Sequence, residues 1–245
     1  MKKKIGFFKR LTSKTLYFPG CLTKNSLRKE YDNYKEILNI LGVDYVLMNN
    51  ANFCCGMPAY NGGYKKETKE LAQSFFNYCK ENNILKIITN CPSCYHTFHS
   101  LYPQFVRDWN IEAEHISVTI YKALLKKKLK KKFSKEYITY HDPCHLGRYE
   151  NIYDEPRKVL EMLGGEIIEM KHNRNNALCC GGGGGVRTNF EKLAKDIASV
   201  RVKEVDERCS KIINSCPLCH SQLSEADERG MEFSTFVLQK LKTIK

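Results

Sequence analysis

The sequence predicts an α/β fold: a tandem duplication of a parallel-sheet domain, with a thiol-rich site at the C-terminal ends of the strands. Three observations predict it. Short apolar strand-like runs alternate with segments of helical periodicity, the pattern of a parallel sheet with right-handed crossovers. One spacing of cysteines occurs twice. Each cysteine element follows a strand-like run, and that edge is where open α/β sheets place their sites.

The repeat is visible in the cysteines. Cys21, the pair Cys54-Cys55 followed by Gly56, and Cys91-Pro92-Ser93-Cys94 form the first copy. Cys144, Cys179-Cys180-Gly181 and Cys216-Pro217-Leu218-Cys219 form the second. The lone cysteine precedes the pair by 33 residues in one copy and 35 in the other, and the step from the pair to the Cys-Pro-x-Cys element is 36 in both. The flanks agree as well, Ile87-Ile88-Thr89-Asn90 standing before Cys91 and Ile212-Ile213-Asn214-Ser215 before Cys216. Cys79 and Cys209 fall outside the register and read as buried structural thiols. The division is a basic tail at 1–14, a first repeat at 15–125, a Lys-rich linker at 126–136 and a second repeat at 137–245.

Within the first copy, Thr15–Phe18 reads as a strand. Leu27, Tyr31, Tyr34, Ile37, Leu38 and Leu41 share one helix face, and Gly42 supplies a C-terminal stop. Val43–Met48 reads as a second strand, Lys65–Lys80 as a helix, Lys86–Thr89 as a third strand, and Cys94–Trp109 as a helix broken near Pro103. The second copy offers strand Tyr137–His141, helix Pro156–Leu163, strand Glu166–Met170, helix Phe190–Glu207, strand Lys211–Asn214 and a helix from Leu218. Helices opening at Cys94 and Cys219 would aim positive N-termini at the thiols.

Composition narrows the function classes. Twelve cysteines are a large excess in a chain with no evident secretory leader, where metal binding or catalysis is the usual use. No apolar run reaches the ~18 residues of a membrane span. The net charge of +13 comes from 40 basic and 27 acidic residues and implies an acidic partner of some kind. Much of it lies in Lys2–Arg10 and Lys126–Lys132, runs without the interleaved aromatics of a nucleic-acid surface, so no nucleic-acid partner is expected. A cytoplasmic location, in places peripheral to the inner membrane face, fits this set.

Five thiols per copy admit several occupants. A structural zinc takes four ligands, commonly from two spaced CxxC elements. Adjacent cysteines in an extended chain would point apart and suit different atoms of a larger polynuclear cluster. Disulfides and a thioredoxin-like dithiol at Cys91 and Cys94 are the other readings, and a four-cysteine iron–sulfur cluster is the nearest competitor. Gly56, Gly62 and Gly63 follow the first pair and Gly181, Gly182 and Gly183 the second, where backbone N–H groups can reach anionic sulfur. The glycine run lacks the Lys-Ser/Thr of a phosphate loop. His96, His141, His145, His220, Arg148 and Arg187 flank the elements as candidates for proton donation or anion binding.

From about Thr15 to Gln222 this pattern resembles the cysteine-rich CCG domain family. That family includes the catalytic subunit of heterodisulfide reductase, the iron–sulfur subunits of glycolate, lactate and anaerobic glycerol-3-phosphate dehydrogenases, and an anchor subunit of some archaeal succinate dehydrogenases. The resemblance implies two 4Fe–4S clusters of noncubane type. Cys21, Cys54, Cys55, Cys91 and Cys94 would hold one, and Cys144, Cys179, Cys180, Cys216 and Cys219 the other. It further implies an iron–sulfur oxidoreductase subunit that reduces a disulfide or related small-molecule substrate, with no catalytic residue separable from the cluster ligands. The alternative is an electron relay beside a flavin-dependent dehydrogenase. Some relatives carry a ferredoxin-type Cys run that these residues lack, so a flavin- or ferredoxin-type partner subunit is expected to supply electrons, and any membrane contact is expected to run through a partner.

Overall fold

The structure, a computed structural model, describes residues 13–48, 53–127 and 133–244. Residues 1–12 of the basic tail and the middle of the Lys-rich linker lie outside those residues, while Lys14 opens the first strand.

The first copy runs β1 (Lys14–Tyr17), α1 (Cys21–Ser26), α2 (Arg28–Leu41), α3 (Met57–Asn61), α4 (Lys65–Glu81), β2 (Ile84–Thr89), α5 (Pro92–His96), a π-helical turn (Thr97–Leu101), α6 (Tyr102–Phe105), β3 (Glu112–His115) and α7 (Ile116–Lys127). The second runs β4 (Glu136–His141), α8 (Asp154–Met162), β5 (Gly165–Ile167), a 3-10 turn (Arg174–Asn176), α9 (Val186–Asn189), α10 (Glu191–Val202), β6 (Lys211–Asn214), α11 (Pro217–Ala226), β7 (Gly230–Glu232) and α12 (Phe233–Lys242). Every strand pairing is parallel, in the orders β1-β2-β3 and β5-β4-β6-β7. The place of β5 is taken in the first sheet by Val46, which bridges to Leu16 and bonds the flanking Thr15 and Tyr17. The duplication is therefore a duplication of topology as well as of cysteines. The expected strand at Val43–Met48 is reduced to that single bridge.

Gly42 ends α2 as the sequence requires. It takes the left-handed conformation at φ 67°, its N–H bonds to Asn39, and Val43 N–H reaches back to Leu38 at 2.9 Å, so the last carbonyls are capped. The helix around Pro103 is not broken as expected but widened. Proline has no N–H and its ring crowds the carbonyl four residues back. The Thr97–Leu101 π turn relieves this, Tyr102 N–H bonding Thr97 O instead. Helix α10 ends at Val202, earlier than its expected boundary at Glu207.

The two copies are joined by a shared core. Helix α2 packs on α12 and α7 on α8, so the first long helix of each copy meets the last helix of the other. Tyr34, Ile37, Leu38, Ile116, Ile120 and Leu124 of the first copy form one buried cluster with Val159, Leu160, Phe233, Phe236, Val237 and Leu241 of the second. The outer face of the first sheet has its own core, where Phe18, Phe75, Phe98 and Tyr102 meet edge to face or stacked. No helix among the described residues is long and apolar enough to cross a membrane.

One buried polar contact crosses the shared core: Tyr34 donates its hydroxyl to Glu232 Oε1 at 2.5 Å, and Glu232 also caps α12 through Ser234 N at 2.6 Å. Burial pushes the Glu232 carboxyl up to about 7. Its folded value thus lies above the unfolded one of about 4.3. The native state binds the extra proton between those values, so this group's contribution to stability is fully present below about pH 4.3 and is lost as pH rises through 7. The Glu232→Gln chain should lack this term, its advantage over the parent growing by at most about 1.4 kcal/mol per pH unit across that window. Denaturant unfolding at pH 5 and pH 8 measures the difference.

Candidate metal centre

Both thiol sets lie at the C-terminal edges of their sheets. Cys21 opens α1 just beyond β1, Cys54 and Cys55 precede α3, and Cys91 is the N-cap of α5 just beyond β2. Cys216 is the corresponding N-cap of α11 beyond β6. The Cys-Pro-x-Cys helices therefore begin earlier than expected, two residues before Cys94 in the first copy and one before Leu218 in the second, with proline in the first turn, where its missing N–H costs nothing.

In the first copy the five side chains touch in an unbroken chain: Cys21 with Cys54, Cys54 with Cys55, Cys55 with Cys94, and Cys94 with Cys91. The second copy repeats it through Cys144, Cys179, Cys180, Cys219 and Cys216. Adjacent cysteines do not diverge as expected from an extended chain. The pair sits in irregular backbone just before the glycine, and both sulfurs enter one site. Contact with Cys21, then with Cys55, lowers the Cys54 thiol to about 2, while contact with Cys54 pushes Cys55 up to about 12. Cys179 and Cys180 behave alike, lowered to about 2 by Cys144 first and raised to about 12 by Cys179 first. Negative charge thus gathers on the first cysteine of each pair, where the N–H of the following glycine meets it: Gly56 N to Cys54 Sγ at 3.4 Å and Gly181 N to Cys179 Sγ at 3.3 Å.

The glycines separate into two groups. Gly56 (φ 84°) and Gly181 (φ 83°) need left-handed backbone to present that N–H, and a side chain on either would strike a neighbouring helix, Leu71 of α4 at 3.0 Å or the Ala194 carbonyl of α10 at 2.7 Å. Gly182 packs on Leu218, 3.1 Å from an added Cβ. Gly62 and Gly63 close the turn after α3, and Gly63 and Gly183 have open space where a side chain would be. Gly20 was not among the expected glycines and lies against the site: a Cβ there would stand 3.2 Å from Cys94 Sγ. Cys79 and Cys209 are buried and belong to neither chain of touching thiols, and burial pushes the Cys79 thiol up to about 12.

The two sets share a seam. His96, just past Cys94, meets His145, next to Cys144, with ring centroids 5.8 Å apart, and His145 stacks on Tyr149 at 4.7 Å. Glu150 lies beneath and accepts from His96 Nδ1 at 2.5 Å, His99 Nδ1 at 2.6 Å and Ser100 at 2.7 Å. Burial opposes the Glu150 charge, yet these donors hold its carboxyl below the usual range. Sequence reasoning named His96 and His145 and missed Glu150. Of the two expected anion-binding arginines, Arg148 donates to the Ala177 carbonyl at 2.6 Å and Arg187 to Gln222 at 2.7 Å and to Glu225. His220 faces Glu30 at 3.8 Å.

The second set adds a group with no counterpart in the first. His141 is buried, and one of its ring nitrogens lies within 4.8 Å of the Cys180 and Cys219 sulfurs. Burial lowers its ring to about 3, so it is neutral. Arg201 was not anticipated from sequence. It is wholly buried and donates from Nε to His141 Nδ1 at 3.1 Å.

A doubled five-thiol site on two parallel sheets defines a protein of the cysteine-rich domain class. The chain belongs to the CCG cysteine-rich domain family, whose pattern matches residues 15–99 and 138–224. It is 29% identical over 217 residues to a dihydromethanophenazine:CoB–CoM heterodisulfide reductase subunit of Methanosarcina acetivorans, covering 86% of this chain and 53% of that one. The Methanosarcina mazei counterpart is 30% identical over 218 residues with the same coverage. An EtfAB:quinone oxidoreductase of Syntrophomonas wolfei is 32% identical over 232 residues, covering 86% of this chain and 31% of that one. The chain thus spans about half the length of the two reductase relatives.

Substitution separates the glycines. Gly181→Ala should cost about 1–3 kcal/mol, because left-handed backbone and the Ala194 carbonyl both oppose the new methyl. Gly183→Ala, with open space and ordinary φ, should change stability by less than about 0.5 kcal/mol. Parallel thermal melts of the two variants test this.

Proposed function

We propose that the chain is an iron–sulfur oxidoreductase subunit with two clusters, one held by Cys21, Cys54, Cys55, Cys91 and Cys94 and the other by Cys144, Cys179, Cys180, Cys216 and Cys219. The carrying observation is the identical chain of five touching sulfurs in each copy. Five soft donors exceed the four of a structural zinc and suit iron bridged by sulfide. The donor set fits the noncubane 4Fe–4S type implied by the family resemblance, and the relatives named as reductase and quinone oxidoreductase support redox work. When bound, such clusters supply one-electron steps and an iron atom able to take a thiol sulfur.

The residues of the seam suit a substrate that passes between the two sites. Tyr149, exposed, offers a ring face at the mouth. His96 and His99, both held by Glu150, are placed to hand protons to a leaving thiolate, since two protons accompany the two electrons that split a disulfide. Electrons come from a flavin- or ferredoxin-type partner subunit, and the basic surface suits an acidic partner face. A relay without its own substrate is the second reading, favoured by the quinone-oxidoreductase relative.

Anaerobic iron and sulfide analysis should find both elements in each copy's site, and zinc without sulfide would sink the proposal. Cys55→Ser and Cys180→Ser should each perturb one cluster's EPR signal and spare the other. With reduced viologen and an organic disulfide, thiol release by the intact chain supports the reductase. Reoxidation by quinone or partner alone makes it a relay.

A further inference from the structure

The two thiol sites have the same sulfurs and the same backbone donors but different walls. The strand registers align the walls residue by residue. Tyr17 pairs with Ile88 and Tyr140 with Ile213, each isoleucine three residues before its Cys-Pro-x-Cys element, so the next residues, Phe18 and His141, are equivalent. Phe76 and Arg201 stand at one and the same distance before Cys91 and Cys216, as do Cys79 and Glu204. In the first copy Phe18, Phe76 and Cys79 lie in one apolar cluster with Cys55 and Cys94. The second copy replaces this trio by His141, Arg201 and Glu204, joined by hydrogen bonds. A buried charged group is costly unless it is paired and hydrogen-bonded, and Arg201 is paired with Glu204 while its Nε reaches His141.

The hydrogen bonds fix what His141 can do. Arginine only donates, so the bond from Arg201 Nε at 3.1 Å requires a lone pair on His141 Nδ1. The neutral ring then carries its proton on Nε2. That atom is buried and without a partner among the described residues, and the Cys180 and Cys219 sulfurs lie beside the ring. A metal ligand would need the opposite arrangement, a proton on Nδ1 and a free lone pair on Nε2. Arg201 is held in turn by Glu204 at 2.5 Å and the His172 carbonyl at 2.6 Å, so the guanidinium lies between His141 and the carboxylate.

We propose that His141, positioned by Arg201, donates its Nε2–H to a sulfur of the group held by Cys144, Cys179, Cys180, Cys216 and Cys219, and makes this site the easier of the two to reduce. The inference rests on the iron–sulfur reading above. A hydrogen bond to cluster sulfur stabilises the reduced, more negative state, and the phenylalanines Phe18 and Phe76 at the equivalent positions of the first copy have no polar hydrogen to give. Electrons entering the protein therefore settle first on the second site. His141 is a tuning residue and not a ligand.

The test uses the full chain, reconstituted anaerobically with iron and sulfide, in EPR-monitored potential titrations. Cys55→Ser and Cys180→Ser assign the two signals. In the parent the second-site signal should develop at the higher potential. His141→Phe, which installs the first copy's residue, should lower that potential by about 59 mV or more, a tenfold change in reduced-to-oxidised ratio for one electron. The first-site signal and the iron content should stay as they were. His141→Gln, which keeps an N–H, should restore much of the shift. Arg201→Met, similar in length and uncharged, should lower the same potential and serves where His141→Phe does not fold. Equal parent potentials, or a second-site potential indifferent to His141→Phe and Arg201→Met, would overturn the inference with the clusters intact. Loss of iron from the second site alone in His141→Phe would make His141 a ligand and overturn it too. A parent chain without sulfide would instead end the underlying iron–sulfur reading.

Discussion

The molecule depends on the crossed packing of its helices, α2 on α12 and α7 on α8. Each pair takes one helix from each copy, so neither sheet has its inner face covered by its own copy alone. Burying Ile37, Leu38, Ile120, Phe236 and Val237 removes enough apolar surface to fix how the two sheets stand. The thiol sites inherit that arrangement. His96 meets His145 because the Cys-Pro-x-Cys helix of one copy is brought against the first-cysteine loop of the other.

Much of this was legible in the sequence because it rests on short-range rules. Gly42 stops its helix, the isoleucine runs before Cys91 and Cys216 become the central strands, and the cysteines sit at strand ends. What escaped depends on distant partners. Strand β3 carries Glu112 and Glu114 and reads as loop, yet Glu114 is buried because Lys86, Thr119 and Lys122 satisfy it. Strand β7 is three residues long, and its Glu232 is intelligible only beside Tyr34 from the other copy.

The site itself was half legible. Spacing singled out the ten cysteines that the fold gathers into two sets of five, while the convergence of both members of each pair, just before a glycine at φ 83–84°, was not legible. Glu150 and Arg201 carry no motif. Arg201 would have emerged from comparing the two copies position by position, since an arginine standing where its twin has phenylalanine is the kind of departure that a purely structural repeat has no reason to make.

That departure gives the covalent joining of the copies a meaning. The crossed helix pairs would hold two separate chains together equally well, as a symmetric dimer of a single repeat. Such a dimer is bound to identical sites, since one gene product supplies both, and two identical sites give an electron no direction. Fusing the repeats lifts that restriction. Phenylalanine can stand at one strand end while a histidine and an arginine stand at the equivalent places of the other copy, so the two thiol sites are free to differ.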